Sequence, residues 1–191
     1  MKMNLEESLI SEHLATFMEG KSFVIVNVKP LHLTKSNLIL IKALADIDKK
    51  RGLVITLERP HHYLTYLLGI QGINQRNITY VDLAYSKTKK IKFPIKITGK
   101  ERHLIGGFIS GDSVNLKNFE FVMIDNVSTA RMYMARDSLF KFVHYFADTT
   151  KKAGASFILS LDASKEGDLI NSLNDFQYEI INFEEVMKNG Y

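Results

Sequence analysis

The stretch "FVIVNVKPLHLTKSNLILIKAL", Phe23 to Leu44, decides the reading of this chain. It opens on a β-branched run of strand length, apolar at successive positions and therefore suited to burial on both faces between two layers. Pro30 interrupts the run. After Thr34 the spacing becomes helical, with Leu38, Ile41, Ala45 and Ile47 on one side and Gly52 following the basic end Lys49-Lys50-Arg51. A buried strand, a tight connection and an apolar helix form the unit from which parallel sheets are built.

The rest of the chain repeats that unit. "NLEESLISEHLATFMEG" places Leu5, Leu9, Ile10, Leu14 and Phe17 at helical spacing, with Gly20 as a stop. "LVITLE" (53–58) reads as a second buried strand, and Pro60 starts a helix through "HHYLTYLLGI". "NITYVDLA" is a third strand, "FEFVMID" (119–125) a fourth, and a long helix covers roughly 137–153. "ASFILSLD" is a fifth strand, a short helix lies near 165–173, and "YEIINF" is a sixth strand at an edge. The expected fold is α/β: three layers, with a mainly parallel central sheet and helices on both faces. Neither an internal repeat nor a Gly/Ser-rich linker divides it, so residues 1–191 are expected to form a single domain.

Composition narrows the setting. A 46% hydrophobic fraction with 11 Gly and 3 Pro in 191 residues describes a folded chain with a proper core. Cysteine is absent, which removes disulfides, thiol nucleophiles and Cys-based metal sites and fits a reducing compartment. No leader-like start and no run of membrane-spanning length is present in the sequence, so the expected location is cytoplasmic. The net charge of +4 is unevenly placed. Between Lys87 and Arg102 seven basic residues face one acid, a local balance of +6, whereas from Asp162 onward seven acids face two lysines, a balance of −5. Such bipolarity could favour head-to-tail self-association or a charged partner, but the leading reading of either patch is a set of solvated loops that happen to differ in sign.

In an open α/β sheet, ligands gather at the carboxyl ends of the strands. Lys35-Ser36 follow the first strand, Glu58 ends the second, Asp125 the fourth and Asp162 the fifth. Residues 29–36, "KPLHLTKS", share the terminal K-S of the phosphate-loop pattern G-x-x-x-x-G-K-[ST], but lack both of its glycines. "FEFVMID" has the form of a strand that closes on a Mg²⁺-holding acid.

On these motifs the chain resembles the RecA-like ATPase core, specifically its KaiC-like branch, which is widespread in archaea. "VNVKPLHLTKSN" is similar to the family's phosphate loop, "LVITLERP" to the strand ending in its catalytic glutamate, and "FVMIDNVS" to its Walker B strand. The resemblance spans roughly residues 23–162. It implies that Thr34, Lys35, Ser36 and Asp125 would contact nucleotide, with Ser36 and Asp125 on Mg²⁺ and Glu58 polarising the attacking water. The missing glycines bear on each role: they let backbone N–H groups approach phosphates and permit positive φ. Lys29 and Thr34 would also place side chains where the phosphates need room.

Other readings stand beside these. Lys35-Ser36 is equally a helix start without chemistry, Asp125 a strand-end acid capping the next segment, and Glu58 an ion-pair partner of Arg59. The expected role is a non-catalytic regulatory or scaffolding module for a protein partner, without a cofactor. The alternatives are Mg-ATP binding by the altered loop with little hydrolysis, and nucleic-acid binding through segment 87–102. The adjacent His61 and His62 diverge on a helix and form no metal pair, and no G-x-S-x-G elbow is present. A relic phosphate loop should keep Lys35 near Asp125, paired with that residue or with Glu58, while Leu31 or Leu33 fills the space of the ligand.

Overall fold

The computed structural model describes residues 4–82, 116–132 and 134–189. Six strands, β1 (Phe23–Asn27), β2 (Gly52–Thr56), β3 (Ile78–Asp82), β4 (Phe121–Ile124), β5 (Ser156–Leu161) and β6 (Glu179–Asn182), form one sheet in the order β3-β2-β4-β5-β1-β6. Every pairing is parallel. All six expected strands are present, and β6 is an edge as expected.

Seven α-helices among the described residues cover the sheet: α1 (Leu5–Met18), α2 (Leu33–Ile41), α3 (His61–Ile70), α4 (Val127–Ala130), α5 (Arg136–Ala153), α6 (Gly167–Ser172) and α7 (Phe183–Asn189). Strand side chains alternate between two cores. Phe23, Ile25, Leu53, Ile55, Val122, Ile124, Phe157 and Leu159 pack with α4, α5 and α6. Val24, Val26, Val54, Phe121, Met123 and Ile158 pack with α1, α2, α3 and α7. The three-layer α/β reading therefore holds. No helix among the described residues is long and apolar enough to cross a membrane.

The long helix α5 buries Leu139, Phe142, Val143 and Phe146, the stripe that 3.6-residue spacing lays on one side. It stops at Gly154, whose φ of 74° is the left-handed value that a residue without Cβ adopts cheaply. α2 is buried on all sides from Ser36 to Ile41 and fills the middle of its layer.

Two details depart from the expected pattern. In α1 the buried face is Ile10, Leu14, Ala15 and Met18, while Leu5 (78% exposed), Leu9 and Phe17 face outward. The heptad-like count chose a face about one residue out of phase. After α2 the helix widens into a π-helical run, Lys42–Ile47. The extra residue per turn carries Ile47 to the surface while Ala43, Leu44 and Ala45 stay buried.

Gly52 has a steric role. It lies opposite Phe121 in the β2–β4 pairing, and a Cβ there would sit 1.9 Å from the Phe121 ring, which is fully buried. The ring has no solvent side to retreat to. Gly52→Ala is expected to cost about 1–3 kcal/mol of overpacking, read as a lower urea midpoint. An unchanged midpoint would mean that the ring repacks freely.

Candidate functional site

The connection after β1 keeps the strand-turn-helix frame. Val28 N–H extends the ladder to Leu161 O at 2.9 Å, and Pro30–His32 form a 3-10 turn that runs straight into α2. Lacking glycine, the loop stays in ordinary backbone regions: among described non-glycine residues only Lys49 has positive φ. His32 N–H bonds back to Lys29 O at 2.9 Å, and Leu33 N–H donates to Pro30 O. Lys29 N–H donates to Glu184 Oε1 of α7 at 2.8 Å. Three donors of the turn, the N–H groups of Lys29, His32 and Leu33, are thus spent within the protein, the first of them on a carboxylate.

Lys35 is engaged by the neighbouring helix α1. Its Nζ pairs with Glu7 Oε1 of α1 at 2.9 Å, not with Asp125 or Glu58 as expected. The cause is local. Glu7 is fixed by a capping box, with Asn4 Oδ1 accepting Glu7 N–H and Glu7 Oε2 accepting Asn4 N–H. Its second oxygen is held ready one helix away. Burial alone would raise the Glu7 carboxyl, but the Lys35 ammonium and the Asn4 N–H together hold it below its usual value. Ser36 is wholly buried, and its Oγ has no hydrogen-bond partner. Thr34 is half-buried in the first turn of α2. Of the two leucines, Leu33 is buried and Leu31 is 86% exposed.

The helix still reaches the fourth strand. Asn37 Nδ2 donates to Asp125 O at 3.4 Å, so the K-S pair and Asp125 share the carboxyl end of the sheet. Asp125 is 5% exposed, and its Oδ1 accepts Leu57 N–H at 2.6 Å. Burial raises its pKa to about 7; the Leu57 N–H opposes that rise and the nearby Glu58 charge adds to it. Glu58 accepts from Asn126 Nδ2 at 3.4 Å and lies 3.9 Å from Arg59 Nε. Asn126 also caps α4 through Thr129 N–H. The four sequence-chosen polar positions are therefore split: Glu58 and Asp125 share a neighbourhood with Asn126, Lys35-Ser36 belong to α2, with Lys35 on Glu7, and Asp162 stands apart at the end of β5. Asp162 is held below its ordinary carboxyl value, chiefly by the Ser164 hydroxyl, against the effect of burial.

As folded, this arrangement does not fit a Mg-triphosphate. Three of the turn's N–H groups are already bonded within the protein, the lysine is engaged elsewhere, and the hydroxyl that would meet the metal is sealed in the core. Among the described residues no cluster of three or more His, Asp or Glu side chains could hold a metal ion.

Two polar clusters escaped the sequence. Asp82, at the end of β3, accepts both His61 N–H and His61 Nδ1 at 3.2 Å and also the Thr56 hydroxyl, pinning the start of α3. Arg131 bridges Glu166 through Nε and Asp168 through Nη2, each at 2.5 Å, and Arg136 takes the other Asp168 oxygen at 2.8 Å. Glu166 belongs to the acidic stretch read as solvated, yet it is fully buried. A partner 35 residues away leaves no local signal. The basic segment 87–102 lies outside the described residues. Comparison with protein-family models and with curated proteins finds no match to this chain.

Proposed function

We propose that this chain is a degenerate relative of the RecA-like, KaiC-like ATPases that serves as a non-catalytic regulatory or scaffolding module, binding a protein partner or another copy of itself. The observation that carries this is the connection after β1. A strand-turn-helix connection stands where the resemblance puts a phosphate loop, but its turn is closed by its own hydrogen bonds, its lysine is paired with Glu7 and its Lys29 N–H is taken by Glu184. Nucleotide binding by the altered loop has one feature in its favour, the unpartnered Ser36 hydroxyl. Reaching it would require α2 to leave the core in which Leu38 to Ile41 are buried.

The test is a melting experiment with Mg-ATP. A ligand at a hundred times its Kd stabilises a fold by about 2.7 kcal/mol. We expect no shift at millimolar Mg-ATP. A Mg-dependent shift that Lys35→Ala abolishes would overturn the proposal and restore the nucleotide-binding reading.

A further inference from the structure

The sheet ends at β6, which pairs with β1 and with no other strand among the described residues. Sheets usually blunt such an edge with lysine, proline or a bulge, because an open ladder is a template for another strand. This edge carries no such device. The stretch "YEIINF" (178–183) holds no Lys, Arg, Pro or Gly, and its single charge, Glu179, is paired with Lys21 Nζ at 2.5 Å. A groove of about 430 Å³ is walled by Phe17 of α1, Ile180 and Ile181 of β6, and Glu185 and Val186 of α7. Successive strand residues point to opposite faces, so a groove lined by both isoleucines follows the edge itself. Beside it Ile180 is 46% and Phe17 39% exposed.

We propose that β6 pairs antiparallel with β6 of a second copy about a two-fold axis, joining the two sheets into one. The proposal rests on the reading of the chain as an interaction module and names both its partner and its contact. Self-complementarity selects the second copy. Residues directly opposite in an antiparallel pair share a face of the sheet, so identical strands related by a two-fold axis must centre on a residue that meets its own counterpart. Ile180 meets that need, being apolar and exposed, whereas Ile181 is already buried in the layer of α1 and α7. Centred there, the pairing covers Ile180 with Ile180 and sets Glu179 opposite Ile181 of the other copy.

The charges agree with this arrangement. Antiparallel pairing brings the start of one β6 beside the end of the other. At the start stands Lys21, whose Nζ lies 5.3 Å from the centre of the Phe17 ring on the α1 side of the sheet. At the end stands α7, whose first turn holds Glu184 and Glu185, and the exposed Glu185 lines the groove on that same side. Each Lys21 thus gains a second carboxylate from the other molecule, and symmetry makes the contact twice. An isologous contact of this kind closes at two molecules.

Cross-linking and sedimentation of the full chain test it. The chain has no cysteine, so Ile180→Cys gives each molecule one thiol. Facing residues of an antiparallel pair have Cα atoms about 4.5–5.5 Å apart, within the reach of a disulfide. Under mild oxidation this variant should form a covalent dimer about tenfold faster than Tyr66→Cys, a control on the exposed side of α3. Sedimentation from micromolar to sub-millimolar should show a monomer–dimer equilibrium. Ile180→Lys should weaken it about tenfold by setting two ammonium groups face to face, with a urea midpoint close to the parent's. A chain that is monomeric throughout, a species larger than a dimer, association that ignores Ile180→Lys, or cross-linking no faster than the control overturns the pairing. Each of these results leaves the module reading standing, since that reading falls only to the Mg-ATP shift.

Discussion

Arg131→Met is expected to destabilise the protein by about 3 kcal/mol, the lower end of what breaking a buried ion pair costs. The lower end applies because the Arg131 side chain is 31% exposed and water screens part of its charge. Glu166 is the reason for so large an effect. It is fully buried, Oε2 is held by Arg131 Nε, and Oε1 has no hydrogen-bond partner. Removing the guanidinium leaves a carboxylate in the interior with nothing to offset its desolvation. Arg131→Met combined with Glu166→Leu should recover most of the loss, because an apolar pair of similar volume avoids the charge altogether. Urea denaturation of the three proteins decides it. Equal destabilisation in the single and double variants would show that Arg131 acts through packing or through Asp168, not through Glu166.

Asp125→Asn is expected to stabilise the protein, and increasingly so as pH rises. The carboxyl titrates near 3.8 when exposed and at about 7 in the fold. The folded state therefore holds a proton that the unfolded chain has released, and stability falls as pH climbs from about 4 through 7. Above 7 the whole penalty is present, roughly 4 kcal/mol as an upper figure from ~1.4 kcal/mol for each pKa unit. Asparagine stays neutral, and its Oδ1 can still accept the Leu57 N–H. The gain should be small at pH 4 and a few kcal/mol at pH 8. Comparing variant with parent at each pH cancels the opposite trends of Glu7, Asp162 and Asp168, whose pKa values are lowered in the fold. A difference that does not change with pH would show that burial does not hold Asp125 protonated.

Strand and helix content was legible because it follows from spacing within a few residues. "FVIV", "LVI" and "FVMI" are apolar at every position, and the structure buries them on both faces of one sheet. Phase was less secure. Leu9 and Ile10 are neighbours on α1, and only the packed layer decides that Ile10 is the buried one. The π-helical run from Lys42 was invisible because no residue type marks the added residue per turn. The candidate site was half legible. Strand ends correctly grouped Asp125 with Glu58, but Lys35 is steered by Glu7, whose orientation comes from a capping box on another helix. Charge pairs over long separations, such as Arg131 with Glu166, depend on which strands adjoin, and sequence spacing does not encode that.

The strand order has a consequence for how the chain is made. β1 is formed by residues 23–27, yet both of its neighbours, β5 and β6, come from residues 156–182. When the first strand has been synthesised, its hydrogen-bonding partners are still more than a hundred residues from being made. At about 5–20 residues per second that is a wait on the order of ten seconds. Throughout it, an apolar strand with two open edges is shielded only by α1 and α2, and β2 and β4 can pair before it does. The nascent chain must pass through a stage with half a sheet complete and a strongly apolar strand unclaimed. That is the interval in which exposed apolar surface and unpaired strand edges leave the nascent chain most open to aggregation.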